Sequence, residues 1–320
     1  MRAGVRFVTP AQLAGGALPR AFVSDRPVNW TRFTLEDGTT GYFVAWPGGD
    51  AADVTCSFAS TGRVAELWNA ETGEIARALG AREENGQTRV KIPFAPRGSW
   101  FVMFRPAPTA GIADFAAPAE IRAETLSGAW KVTFPVGWYF GRDETKATEL
   151  PSLVDWATLA DPDFRYFSGI ATYEYARRPT VRFAAGERIV LDLGGVKNLA
   201  EVTVNGRAFA PVWRPPFRVD ITSAVRSGEP IDLRVRVANL WVNRLIGDEE
   251  LPSDVELKSS ARPIPGIVWG EPIAAIPEFV RTGGPSPTGR HTFATWRHWY
   301  KGDGLFPSGL LGPVRLRIVK

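Results

Sequence analysis

The sequence predicts an all-β protein built from two β-sandwich domains, and three observations carry that prediction. Short apolar–polar alternations recur at roughly ten-residue spacing, separated by turn clusters. No sustained helical period of eleven residues or more occurs, although Val154 to Leu159 and Ile221 to Val225 can each make one turn. At 320 residues the chain is long enough for two domains that each bury a core.

The first domain is expected over residues 1–106, with an irregular N-terminal stretch. Trp30 to Leu35 and Thr40 to Ala45 alternate around Glu36-Asp37-Gly38, a hairpin signal. Further strands are predicted at Val54 to Ala59, Val64 to Trp68, Thr88 to Ile92 and Ser99 to Arg105, with turns at Glu71-Thr72-Gly73 and Glu84-Asn85-Gly86. Residues 107–127 begin with a run rich in Pro and Ala and read as a linker, or as a connection laid along a surface.

The second domain is expected over 128–320 and reads as a jelly roll. Its strands are predicted at Gly128 to Pro135, Gly169 to Tyr175, Arg188 to Leu193, Glu201 to Val204, Phe217 to Ile221, Ile231 to Asn239 and Val314 to Val319. Asn205-Gly206 supplies positive φ cheaply at a strand-to-strand turn. In Pro215-Pro216-Phe217 the prolines mark a strand entry, with Phe217 and Val219 pointing inward and Arg218 and Asp220 outward. Asp220 or Thr222 can cap the short turn that follows. Residues 245–287 are rich in proline and glycine and read as a long surface insertion of the kind that tends to carry function.

Composition excludes several classes. Hydrophobic residues at 44% and charged residues at 22% are globular averages, which argues against a disordered or membrane-embedded chain. The net charge of +4 is dispersed without basic runs, which argues against a nucleic-acid partner. Cys56 is the single cysteine, so neither a disulfide framework nor a thiolate metal cluster can form, and its place in the alternation Val54, Cys56, Phe58 marks it as core. Met1 to Gly16 lacks an apolar run suited to a signal peptide, so the chain as it stands is expected in the cytoplasm. A longer parent chain with its own signal would place it in the periplasm or outside the cell.

Twelve Trp and nineteen Phe exceed what two cores need. Sandwich interiors favour large rings, and sugar-binding faces use Trp and Tyr to stack on pyranose C–H surfaces. Most of the rings are expected inside and the remainder are candidates for a binding face.

Three clusters are candidate contacts. Between Asn239 and Glu250, Asn239, Trp241, Asn243 and Arg244 sit beside Asp248, Glu249 and Glu250. Amides and guanidinium groups suit bidentate contacts to vicinal hydroxyls, and Trp241 can stack on a ring. The same residues can equally brace the long loop, with Asn243 and Arg244 bonded to backbone carbonyls and Asp248 paired to Arg244. Trp296, Arg297, His298, Trp299 and Tyr300 form a second patch. Alternation sets Trp296 and His298 on one face and Arg297 and Trp299 on the other, and His298 suits a structural hydrogen bond better than catalysis. Trp213 and Arg214 are the third candidate.

The order of several phrases resembles a known family. Asp155-Trp156, then Tyr166-Phe167-Ser168-Gly169-Ile170-Ala171-Thr172-Tyr173, Leu191-Asp192-Leu193-Gly194 and Glu201-Val202-Thr203-Val204-Asn205-Gly206 come first. Pro215-Pro216-Phe217-Arg218 follows, then Asn239-Leu240-Trp241-Val242-Asn243-Arg244 and the tail Thr295-Trp296-Arg297-His298-Trp299. Together they resemble the galactose-binding-like sandwich of glycoside hydrolase family 2 and, more closely, the C-terminal region of family 106 α-L-rhamnosidases. Glu66-Leu67-Trp68-Asn69-Ala70-Glu71-Thr72-Gly73 resembles the strand and turn that follow the barrel there.

The resemblance implies a galactose-binding-like jelly roll as the second domain, carbohydrate as partner, and a catalytic barrel on the same parent chain or on a partner chain. It also implies that the catalytic acids lie in that barrel, because no eightfold β/α pattern occurs here. Glycoside hydrolysis needs two carboxylates across the scissile bond. If this chain is instead a small stand-alone hydrolase, with β-galactosidase or α-L-rhamnosidase activity for example, Asp248, Glu249 and Glu250 are its candidates. Serine-hydrolase, phosphate-loop and zinc-protease motifs are absent. No cofactor is called for. A structural calcium held by carbonyls and one or two carboxylates is compatible with such sandwiches, with no ligand set legible in the sequence.

Overall fold

In a computed structural model describing residues 20–116, 118–258 and 271–320, the chain is all-β and divides into two compact units, Met1–Pro118 and Ala119–Lys320. The described strands of the first unit are β1 (Phe22–Ser24), β2 (Asn29–Thr34), β3 (Thr40–Ala45), β4 (Ala52–Phe58), β5 (Val64–Asn69), β6 (Ile75–Arg77), β7 (Arg82–Glu84), β8 (Gln87–Phe94) and β9 (Ser99–Arg105). They form two antiparallel sheets, β1-β4-β8-β7 and β2-β3-β9-β5-β6. Alternation decides which side chains meet between them. Tyr42 and Val44, Val54, Cys56 and Phe58, Val90 and Ile92, and Val102 and Phe104 are all sealed from solvent in one cluster. Burial pushes the Cys56 thiol up to about 12, so it packs as a small hydrophobe rather than as a nucleophile.

The predicted linker 107–127 is not free chain. Glu66, fully buried, accepts hydrogen bonds from the Thr109 backbone N–H at 2.6 Å, the Thr109 hydroxyl at 3.0 Å and the Trp68 indole at 2.8 Å. Arg77 exchanges backbone hydrogen bonds with Ala113 and Phe115. The first part of the segment therefore lies along its own sandwich. The last part, β10 (Glu120–Thr125), is an edge strand of the second unit. All six of its side chains are exposed, so it shows no apolar alternation, and the sequence carries no signal for it.

The second unit continues with β11 (Trp130–Phe134), β12 (Lys146–Leu150), α1 (Pro162–Arg165), β13 (Ile170–Tyr175), β14 (Arg188–Asp192), β15 (Gly195–Lys197), β16 (Leu199–Val204), β17 (Arg207–Ala208), β18 (Arg218–Asp220) and β19 (Leu233–Ala238). After these come α2 (Val242–Asp248), β20 (Glu271–Pro272), α3 (Glu278–Thr282), β21 (Trp296–Arg297), β22 (Gly309–Gly312) and β23 (Arg315–Val319). A four-stranded sheet, β10-β23-β14-β18, and a six-stranded sheet, β12-β11-β13-β19-β16-β17, enclose one core, and β15-β22 and β20-β21 are small pairs. Asn205 and Gly206 hold φ of 48° and 80° in the β16–β17 hairpin, the double positive pair that such a tight turn needs. Phe217 and Val219 point inward, and Asp220 accepts from the Thr222 N–H at 3.0 Å and from its hydroxyl at 2.6 Å.

Two expectations need correction. The polar cluster from Asn239 begins where β19 stops, at Ala238, but most of it lies on the helix α2, which the sequence pattern does not announce. The long insertion 245–287 holds the end of α2, β20 and α3, and its residues 259–270 lie outside the described residues. Among the described residues no helix is long and apolar enough to cross a membrane.

Candidate functional site

The second unit gathers its unusual side chains where β13 begins and β19 ends. Ser168 and Gly169 precede β13, Asn239 and Leu240 follow β19, and the two corners are tied together. Asn239 accepts from the Gly169 N–H at 2.9 Å and donates to the Phe167 carbonyl and the Ser308 hydroxyl at 2.8 and 3.1 Å. Asn243 donates to the Phe306 carbonyl at 2.7 Å and to Ser308 at 3.1 Å, and accepts from the Phe306 N–H at 2.8 Å. Both amides are thus used within the fold, and they fasten the tail strand to the sandwich.

Asp248 and Glu249, at the end of α2, clamp a second segment. Asp248, only 2% exposed, accepts from the backbone N–H of Thr292 at 2.8 Å, from its hydroxyl at 2.6 Å and from the His291 N–H at 3.1 Å. Its other oxygen faces Arg244 Nε at 3.1 Å. Arg244 is itself buried against the ring of Tyr166, 5.7 Å from the centroid. Gly247 makes this possible, since a Cβ there would lie 2.5 Å from both the Tyr166 ring and the Arg244 guanidinium. Glu249 bridges Arg290 and Arg297, each at 2.7 Å. Glu250 reaches Lys301 at 2.8 Å on the more open side.

A cavity of about 60 Å³ adjoins this clamp, lined by Asp248, Glu249, Trp296, Arg297, His298 and Trp299 among others. Members of two of the three sequence-predicted clusters therefore do converge. Ligand pockets generally run from roughly 300 Å³ upward, so this cavity suits water rather than a pyranose ring. A carboxylate acting as general acid must present an open oxygen to the leaving group. Asp248 and Glu249 have theirs engaged, and their geometry is that of a loop clamp.

Trp296 and His298 do share a face, with rings 6.5 Å apart and 21° from parallel, while Trp299 packs edge-on against Phe306. Trp213 is 65% exposed, and Arg214 donates to the Pro215 carbonyl at 2.8 Å, both on the connection between β17 and β18. That connection is not part of the cavity lining. Among the described residues no group of three or more His, Cys, Asp or Glu is placed to hold a metal ion.

Sequence reasoning overlooked one group. Trp138, Tyr139 and Phe140 form a single 3-10 turn in the irregular stretch after β11. Trp138 lies 5.3 Å from Trp241 at 49°, and Tyr139 stacks on His291 at 5.2 Å. Burial, and then the nearby Arg244 cation, lower the pKa of His291. That shift favours the neutral ring as the packing partner of Tyr139. The available signal was three consecutive aromatic residues in a stretch with no strand alternation.

No family model matches the sequence. A putative beta-glucuronidase of Formosa agariphila is 37% identical over 195 residues, which are 61% of this chain and 15% of that protein. The structure of a rhamnosidase from Novosphingobium sp. PP1Y aligns with 96% of this chain at a TM-score of 0.70 and 31% identity, and the match covers 26% of that enzyme. Over almost its whole length the chain resembles part of a rhamnosidase. It spans 15% and 26%, respectively, of these two proteins. Both sandwiches are thus shared with a glycosidase, in sequence as well as in fold.

Proposed function

We propose that this chain is the carbohydrate-recognising and scaffolding sandwich portion of a rhamnosidase-like glycoside hydrolase, corresponding to the C-terminal region of a family 106 enzyme. Catalysis belongs, in this reading, to a barrel outside these 320 residues. The observation that carries it is the alignment of 96% of the chain with one part of a rhamnosidase. Two features of the molecule agree. The described strands run in antiparallel sheets, with no succession of parallel β/α units. The acids beside the aromatic cluster are engaged by arginines and backbone N–H groups.

Affinity electrophoresis through gels containing a rhamnose-bearing polysaccharide tests the recognition part of this reading. The chain is expected to be retarded by a rhamnogalacturonan and to run freely through dextran. Equal mobility in every gel would count against carbohydrate recognition.

A further inference from the structure

The pair Trp138 and Trp241 stands apart from the other exposed rings in how it is held. Trp138 is 40% and Trp241 49% exposed, yet neither sits on a loose loop. Trp138 donates its indole N–H to the Ser168 carbonyl at 3.1 Å, and the Tyr139 hydroxyl both donates to that carbonyl and accepts from the Ser168 N–H, each at 2.6 Å. Ser168, 1% exposed, also donates its hydroxyl to the Leu240 carbonyl at 2.8 Å, next to Trp241. One buried serine therefore holds the Trp138 indole directly and anchors the backbone that carries Trp241. Gly169 completes the seat: a Cβ there would lie 2.7 Å from the Trp138 indole nitrogen, and its φ of +148° is one that L side chains rarely adopt.

The rim is polar. Backbone bonds from Arg142 N–H to the Gly137 carbonyl and from Gly137 N–H to the Glu144 carbonyl, both near 3 Å, close the loop that carries Trp138 together with Arg142, Asp143 and Glu144. All three are exposed; the Arg142 guanidinium lies over the Phe140 ring, 5.3 Å from its centroid, while Asp143 and Glu144 form no ion pair among the described residues. Two half-exposed rings beside a loop that carries the exposed carboxylates Asp143 and Glu144 suit a sugar, which offers an apolar C–H face and a fringe of hydroxyls. A ring already held by a hydrogen bond, as Trp138 is, loses little conformational entropy on binding.

We propose that Trp138 and Trp241 form a saccharide-stacking platform, with the carboxylates of Asp143 and Glu144 available to the hydroxyls of the bound ring. This rests on the carbohydrate-recognition reading above and gives it a location.

The test is isothermal titration of the whole chain with a short α-L-rhamnosyl oligosaccharide and, in parallel, a β-D-galactosyl one. Calorimetry is preferred because twelve Trp would dilute a fluorescence signal. Saturable binding of at least one sugar is expected, weakened about tenfold or more in Trp138→Ala and in Trp241→Ala, as loss of ~1.4 kcal/mol of stacking implies. Trp30→Ala, on the other unit, should bind as the wild type does. Trp241 makes no hydrogen bond through its ring among the described residues, so Trp241→Ala keeps the test sound if Trp138→Ala folds poorly. Wild-type affinity in both variants would overturn the platform while leaving carbohydrate recognition intact. No binding by the wild type would overturn both. A heat signal seen only with a purified rhamnosidase barrel, and lost in the variants, would assign the rings to a protein contact and overturn the platform as well.

Discussion

Replacing Asp248 by alanine is expected to destabilise the second unit by roughly 3–5 kcal/mol, because it leaves a buried guanidinium without its counter-charge. The carboxylate has partners on every side: Arg244 at 3.1 Å, the Thr292 N–H at 2.8 Å and hydroxyl at 2.6 Å, and the His291 N–H at 3.1 Å. Arg244 is 6% exposed and cannot recover water without opening the structure. Asp248→Asn keeps the shape and one acceptor oxygen, and should lose about 1–3 kcal/mol, the usual cost of unsatisfied buried groups. Urea denaturation followed by near-ultraviolet circular dichroism separates these outcomes. A loss below about 1 kcal/mol in the alanine variant would mean that the clamp is not a stabilising element.

The second large effect lies in the core. Trp156 is sealed from solvent, packs against Phe134 and Phe167 at 5.1 and 5.7 Å, and donates its indole N–H to the Tyr173 hydroxyl. That hydroxyl also accepts from the Leu310 N–H at 3.0 Å, so Trp156, β13 and β22 meet at one atom. Trp156→Ala should cost about 3–5 kcal/mol through the cavity alone. Gly309→Ala probes the same contact from the other side. Its φ is +99°, and a Cβ would sit 2.4 Å from the Trp156 indole nitrogen and 2.7 Å from the Tyr173 oxygen. Overpacking and backbone strain each cost about 1–3 kcal/mol, so a loss of at least about 2 kcal/mol is expected. Thermal and urea unfolding check it, and a Gly309→Ala protein as stable as the wild type would contradict the tight packing described here.

Where one face of a strand is buried, the sequence is easy to read. Val54, Cys56 and Phe58 alternate inward because the pleat has a period of two, and the same logic finds Phe217 and Val219. Asn205-Gly206 announces its hairpin by backbone chemistry alone. Other elements are set by tertiary contacts and leave no local trace. Helix α2 has no side-chain cap at Trp241, and five of its seven residues are buried, so packing rather than propensity makes it helical. Strand β10 is exposed along its whole length and is specified by its partner β23.

The site was legible to a similar degree. Asp248, Glu249, Trp296, His298 and Trp299 were named from sequence and share one cavity lining. Trp241 was named as a stacking residue, but its neighbour Trp138 comes from more than a hundred positions earlier in the chain, across a contact that only the fold creates. Asn239 and Asn243 illustrate the opposite case. Their residue types fit sugar recognition and loop bracing equally well, and only the hydrogen-bond partners distinguish the two.

The central claim, that these sandwiches serve a glycosidase without carrying its catalytic machinery, is tested most directly by hydrolysis of a nitrophenyl glycoside panel including α-L-rhamnoside and β-D-galactoside. The purified, folded chain is expected to release nitrophenol no faster than buffer. Saturable turnover that disappears in an Asp248→Asn, Glu249→Gln double variant shown to remain folded would establish a small enzyme and contradict the account.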